Sequence, residues 1–143
     1  MPGKTIALGC DHGGFKLKSV LKEALEKKGY TVLDVGANSG ASVDYPDFGH
    51  AVAKLIEEGK ATRGVIVCGT GIGISLAANR HPAVRAAVCT SGLMARLARA
   101  HNDANVLALG GRIIGVETAL DCLEEFLNTP FEGGRHAARV EKI

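Results

Sequence analysis

Five short apolar runs alternate with segments whose apolar residues return at helical spacing. This alternation constrains the fold more than any other feature of the sequence. The runs are Thr5-Ile6-Ala7-Leu8-Gly9, Tyr30 to Val35, Gly64-Val65-Ile66-Val67-Cys68, Val84 to Val88 and Asn105 to Leu109. They are nearly continuous in apolar residues, the pattern of strands buried on both faces. Between them, Leu17, Val20, Leu21, Ala24 and Leu25 mark a helix stopped by Gly29. Phe48, Ala51, Val52, Leu55 and Ile56 mark a second, closed near Gly59, and Ile72 to Asn79 a third. Leu93, Met94, Leu97, Ala98 and His101 share one face of a fourth. Val116, Ala119, Leu120, Leu123, Phe126 and Leu127 stripe a long fifth. The tail, Phe131 to Ile143, is basic and expected to be partly helical. Parallel strands need crossover connections, and helices supply them. The expected class is therefore α/β: a three-layer Rossmann-like fold with a five-stranded parallel sheet. There is no linker and no repeat in the 143 residues, so a single domain over 1–143 is expected.

Composition removes several function classes. Seventeen Lys+Arg against 15 Asp+Glu give +2, too balanced for a protein that lives on bulk nucleic acid. Aromatics are 4% with no Trp, which argues against a stacking platform for single strands. No apolar run approaches the roughly 18 residues of a membrane span, and no membrane partner is expected. The N-terminal apolar stretch is shorter than a secretory signal requires and reads as a first strand. Cys10, Cys68, Cys89 and Cys122 are widely spaced without a CxxC pair, so neither a zinc knuckle nor a disulfide framework is indicated. A reduced, cytoplasmic setting follows from that usage.

In open α/β sheets ligands bind beyond the carboxyl ends of the strands. Cys10-Asp11-His12-Gly13-Gly14 follows the first strand, Cys68-Gly69-Thr70-Gly71-Ile72-Gly73 the third, and Gly110-Gly111-Arg112 the fifth. Acid, imidazole and thiol thus meet at one edge beside glycines. The Gly69 to Gly73 loop either cradles an anion on its amides or is only a tight strand-to-helix turn. Its spacing is G-x-G-x-G, which is not the dinucleotide fingerprint. Cys68 can be a nucleophile, a general base or a buried hydrophobe, and a glycine-lined helix start favours a thiolate. Asp11 can cap the next helix, or Asp11 and His12 can contact sugar hydroxyls. His101 lies on an apolar helix face, where a packed core histidine is the ordinary outcome. Yet Arg99, His101, Asn102 and Asp103 crowd that helix end. Eight of nine lysines lie in residues 1–60, and all eight arginines lie from Arg63 onward. Arg135 and Arg139 would share a helix face and suit phosphate.

Five blocks, read in order, carry a resemblance over essentially the whole chain: Gly9-Cys10-Asp11-His12-Gly13-Gly14; Asp44-Tyr45-Pro46; Cys68 to Gly73; Arg99-x-His101-Asn102-Asp103-x-Asn105; and Glu132-Gly133-Gly134-Arg135-His136-x-x-Arg139-Val140. The chain resembles the type B ribose-5-phosphate isomerases, whose family also holds galactose-6-phosphate and allose-6-phosphate isomerases. The resemblance implies interconversion of ribose 5-phosphate and ribulose 5-phosphate through an enediolate, with a place in carbohydrate metabolism and the pentose phosphate pathway. It implies no metal and no organic cofactor. The partners it implies are a sugar phosphate and a second copy of the chain, in a homodimer or a tetramer whose active sites use both subunits. By position, Cys68 would be the base. Thr70 and the amides of Gly69, Gly71, Ile72 and Gly73 would hold the enediolate oxygen. His101 would assist ring opening, and Asp11 and Asn102 would contact hydroxyls. His12, Arg112, Arg135 and Arg139 would bind phosphate, and Tyr45 would line the sugar pocket. Relatives that use a glutamate base carry it a few residues past the cysteine position. Here position 77 is Ala and position 70 is Thr, the cysteine pattern. The alternatives are the same chemistry on allose 6-phosphate or galactose 6-phosphate, and a non-catalytic phosphosugar-binding module.

Overall fold

The computed structural model describes residues 2–143. The elements are β1 (Thr5–Cys10), α1 (Phe15–Lys27), β2 (Thr31–Asp34), α2 (Tyr45–Glu57), β3 (Arg63–Cys68), α3 (Ile72–Ala78), β4 (Ala86–Val88), α4 (Gly92–Asn102), β5 (Val106–Gly110), α5 (Val116–Asn128) and α6 (Arg135–Val140). The five strands form one sheet in the order β2-β1-β3-β5-β4, and every pairing is parallel. The expected three-layer α/β architecture is the observed one.

Central strands β1, β3 and β5 are buried almost throughout, whereas the edge strands β2 and β4 are half-exposed. Successive strand side chains point to opposite faces. Ile6, Leu8, Val65, Leu107 and Leu109 therefore pack with Leu21 and Leu25 of α1 and Leu123 and Phe126 of α5. Ala7, Ile66, Cys68, Val106 and Ala108 face the other way, onto Val52 of α2 and Ile74 of α3. Each large aliphatic side chain so buried contributes roughly 1.5–3 kcal/mol. Cys68 ends the second set, at the margin of a core rather than inside it.

Two ionic arrangements fix loops that the site depends on. Lys18 on α1 is buried; its Nζ donates to both oxygens of Asp34, at 3.0 and 2.9 Å, and to the Ala37 carbonyl at 2.6 Å. Asp34 also accepts from the Gly36 amide at 2.9 Å. Burial works against its carboxylate, but the Lys18 hydrogen bond and the Gly36 amide prevail and hold its pKa below the usual value. This anchors the start of the connection that leads to α2. At the other end of the sheet the buried Arg99 donates to Thr129 and Ala104 carbonyls and to Asp103. Asp103 closes α4 with φ 48° and also pairs with Arg85. The crowding of Arg99 and Asp103 at this helix end is thus architectural. Among the described residues, no helix is long and apolar enough to cross a membrane.

Candidate active site

The strand order changes direction between β1 and β3: β1 leads outward to β2, and the chain then returns to the other side of β1. A crevice opens at such a switch point, between the loops that follow the two strands. Those loops are the ones carrying Asp11-His12 and Cys68 to Gly73. They meet backbone to backbone. A Cβ on Gly13 would stand 3.1 Å from the Gly69 nitrogen, and one on Gly110 would stand 2.6 Å from the Thr70 carbonyl oxygen. The Gly111 amide donates to the Cys68 carbonyl at 2.8 Å and the Arg112 amide to the Gly69 carbonyl at 2.9 Å. Three strand ends are thereby locked into one floor.

Cys68 is buried, and its Sγ accepts a hydrogen bond from the Gly71 amide at 3.1 Å. Gly71 caps α3 with φ 79°, and a Cβ there would lie 2.9 Å from the Leu109 carbonyl carbon. Both the dihedral and the space demand glycine. Thr70 Oγ1 accepts from the Ile72 amide at 3.1 Å, which holds the hydroxyl over the turn. The first turn of α3, which includes Gly73, has N–H groups without intrahelical acceptors. Tyr45, the first residue of α2, lays its ring on Gly73, where a Cβ would come within 2.5 Å of it.

Beside this floor is a cavity of about 450 Å³ lined by His12, Gly13, Lys16, Gly40, Gly111 and Arg112, among others. His12 Nδ1 accepts from the Val43 amide at 3.2 Å, so the ring's other nitrogen carries the proton. The Arg112 guanidinium lies against Gly69, its Nη1 3.3 Å from where a Cβ would stand. Asp11 is buried, and its carboxylate accepts from the Gly14 amide at 3.2 Å. Its capping role is therefore present in the structure. The cavity is a cationic bay with a hydrogen-bonding rim, suited to an anion. Lys16 on its wall was outside the expected set; its place in the first turn of α1, next to the Asp11-His12 loop, is the signal that points to it.

The remaining expected residues lie elsewhere in the chain. His101 and Asn102 end α4, next to the start of β5, while Cys68 pairs with Gly110 at that strand's end. Four steps at about 3.3 Å per residue put the two edges roughly 13 Å apart along the strands. At this far edge His101, Asn102, His136 and Arg139 line a second cavity of about 400 Å³. The rings of His101 and His136 are stacked, 4.4 Å between centroids and 12° from parallel. Arg135 begins α6, one turn before Arg139. Burial, and then the neighbouring His101, Arg135 and Arg139, hold the His136 pKa below its usual value against the pull of Glu132. Asp11, His12, Tyr45, Cys68 to Gly73 and Arg112 thus share one edge, and His101, Asn102, Arg135 and Arg139 belong to the other. Burial pushes the other three thiols up, Cys10 and Cys122 to about 11 and Cys89 to about 12.

Known proteins share this arrangement of chain. The family model described as Ribose/Galactose Isomerase matches residues 6–143. Ribose-5-phosphate isomerase B of Escherichia coli (strain K12) is 45% identical over 140 residues, covering 98% of this chain and 94% of that protein. The ribose-5-phosphate isomerase B structure from Clostridium thermocellum is 53% identical with a TM-score of 0.95, covering 96% of this chain and 93% of that one. The Mycoplasma genitalium ribose-5-phosphate isomerase B structure with bound ribulose-5-phosphate is 39% identical with a TM-score of 0.92, covering 96% and 92%. With a family match that starts in β1 and runs to the last residue, and a sheet that superimposes this closely, the chain belongs to the ribose/galactose isomerase family.

Proposed function

We propose that this protein is an aldose-ketose isomerase that interconverts ribose 5-phosphate and ribulose 5-phosphate. The observation that carries the reading is the Cys68 sulfur, held by the Gly71 amide on a glycine floor beside the His12 and Arg112 bay. A carbon-bound proton next to a carbonyl, a nearby oxyanion and a distant phosphate each find a matching group there.

The reaction begins with the furanose. Its C1–O4 bond breaks, O4 gains a proton and the C1 hydroxyl loses one; His101 is the group assigned to this transfer. Cys68 as thiolate then takes the C2 proton. Negative charge moves to the carbonyl oxygen on C1, and the amides of Gly69, Gly71, Ile72 and Gly73 with Thr70 stabilise it. The Cys68 thiol returns its proton to C1 while the O2 proton passes to O1, leaving the ketose. Fixed donors at a developing oxyanion are worth about 10²–10³ each in rate, and a positioned base roughly 10²–10⁴. Phosphate in the His12 and Arg112 bay, held far from the reacting carbons, orients them. Asp11, Asn102 and Tyr45 contact the sugar.

The separation of His101 from Cys68 within one chain supports a homodimer, in which His101, Asn102, Arg135 and Arg139 of a second copy complete each site. Exposed Ile72 and Leu76 on α3, Leu93, Met94 and Leu97 on α4, and Ile113 beside Arg112 supply the apolar surface for such an association. Four unpaired cysteines fit a reducing, cytoplasmic setting.

The test is a proton NMR time course in D₂O with ribose 5-phosphate, allose 6-phosphate and galactose 6-phosphate in parallel. Conversion of ribose 5-phosphate with deuterium entering C1 of the product is the expected outcome. Conversion of a hexose phosphate alone would move the substrate, and no conversion with phosphosugar binding retained would leave a binding module. Light scattering on the same sample separates monomer, dimer and tetramer.

A further inference from the structure

We infer that Glu132 and His136 form a positioning unit for the His101 imidazole, and that the unit serves ring opening rather than the proton transfer at carbon. The inference rests on the assignment of His101 to ring opening made above. The Glu132 amide donates to the Ala100 carbonyl at 3.0 Å, which staples the segment before α6 to the last turn of α4, one residue before His101. Gly133 and Gly134 follow with φ 67° and 54°, and the His136 amide donates to the Gly133 carbonyl at 3.0 Å. This sharp reversal brings position 136 back over position 101.

The side chains complete the arrangement. His136 is buried while Arg135 and Arg139 beside it are exposed, so its ring occupies a fixed slot. Its Nε2 lies 3.5 Å from Glu132 Oε1, and its face lies on the face of His101. Among the described residues the His101 ring makes no side-chain hydrogen bond, and the stack is what sets its plane. Opening the furanose moves a proton between two oxygens on either side of C1. An imidazole that must reach both gains from losing its freedom to swing. Glu132, His101 and His136 also present ligand atoms within 4.8 Å of one another, the composition of a cation site. Arg139 lines the same cavity, however, so a dication there would face a guanidinium. The stack, with the Glu132 carboxylate beside His136, is the arrangement these residues form.

The test uses a property of the product. Ribulose 5-phosphate is an open chain, because its 5-hydroxyl is esterified, so exchange of its C1 proton with D₂O needs no ring chemistry. Wild type, His136→Asn, His136→Phe and Glu132→Gln are compared at saturating substrate, with melting curves to confirm folding. His136→Asn is expected to lower ribose 5-phosphate turnover by about 10²-fold, with C1 exchange of ribulose 5-phosphate unchanged. His136→Phe, which keeps a flat stacked ring, is expected to recover much of the loss, and the exposed Glu132→Gln to show a smaller one. A parallel fall of both reactions in His136→Asn, or a fall in neither, would overturn the inference. The underlying assignment is tested separately by His101→Asn, in which undiminished turnover of ribose 5-phosphate would remove His101 from ring opening.

Discussion

The Gly71 amide donates to Cys68 Sγ across 3.1 Å, and this single bond joins the end of β3 to the start of α3. It makes the sulfur an acceptor, as a base must be, and it depends on a backbone turn that only glycine adopts without strain.

Cys68→Ala should remove the base and leave the floor standing. Turnover of ribose 5-phosphate should fall by roughly 10²–10⁴, the usual worth of a positioned base. Exchange of the C1 proton of ribulose 5-phosphate should fall with it, while calorimetric binding of a phosphosugar persists. A retained rate would exclude the thiol from proton transfer.

Gly71→Ala should damage both folding and rate. The new Cβ would meet the Leu109 carbonyl carbon at 2.9 Å with φ held at 79°. Strain of this kind costs on the order of 1–3 kcal/mol, readable as a lowered urea midpoint. The amide that serves Cys68 would shift with it, so turnover should fall even under conditions where the variant is fully folded.

Lys18→Met should destabilise the fold. The amine is 3% exposed and its partner 14%. Asp34 would keep Lys22 at 3.5 Å and the Gly36 amide at 2.9 Å, so the loss should fall below the roughly 3–5 kcal/mol of a buried charge left with no partner. A second change, Asp34→Asn, should restore part of the melting temperature. The pair also has an acid signature. The folded Asp34 carboxyl sits below the usual 3.8, so its contribution is present above that value and is lost as pH falls through the lower folded one. Acid titration of Lys18→Met should lose that component.

The buried thiols predict a selective alkylation and an alkaline limit. Near neutral pH, iodoacetamide should spare Cys10, Cys89 and Cys122, which should react only after unfolding. Their folded values of about 11, 12 and 11 lie above the ordinary 9.0 that they regain on unfolding. The folded state therefore holds these protons more tightly. Stability from this source is full below pH 9 and declines from there as pH rises through the folded values. Mass spectrometry of the adducts and melting temperatures measured from neutral to strongly alkaline pH check both points.

Much of this protein was legible in its sequence because the decisive signals are local. Every strand and helix expected from the apolar pattern is present, since a run buried on both faces and a stripe at helical spacing need no knowledge of distant contacts. The differences are at ends. The fourth strand starts at Ala86 rather than Val84, because the Val84 amide bonds to the His81 carbonyl in the preceding turn and the Arg85 amide to Asn105 Oδ1, just ahead of β5. The second helix starts at Tyr45, ahead of Phe48, because Pro46 suits a first turn.

The sequence by itself determined the α/β class, the glycine turns, the buried thiol at a strand end and the order of the family's motifs. Tertiary structure decided where those motifs meet. Strand order places the β1, β3 and β5 loops in contact and sends the end of α4 to the opposite edge, so Cys68 and His101 part company within one chain. The Lys18–Asp34 pair and the stacking of His136 on His101 were equally invisible, being contacts across 16 and 35 positions of chain. Helix and strand periods follow from near-neighbour geometry. Which surfaces come together is set by long-range packing, and no short pattern of residues encodes it.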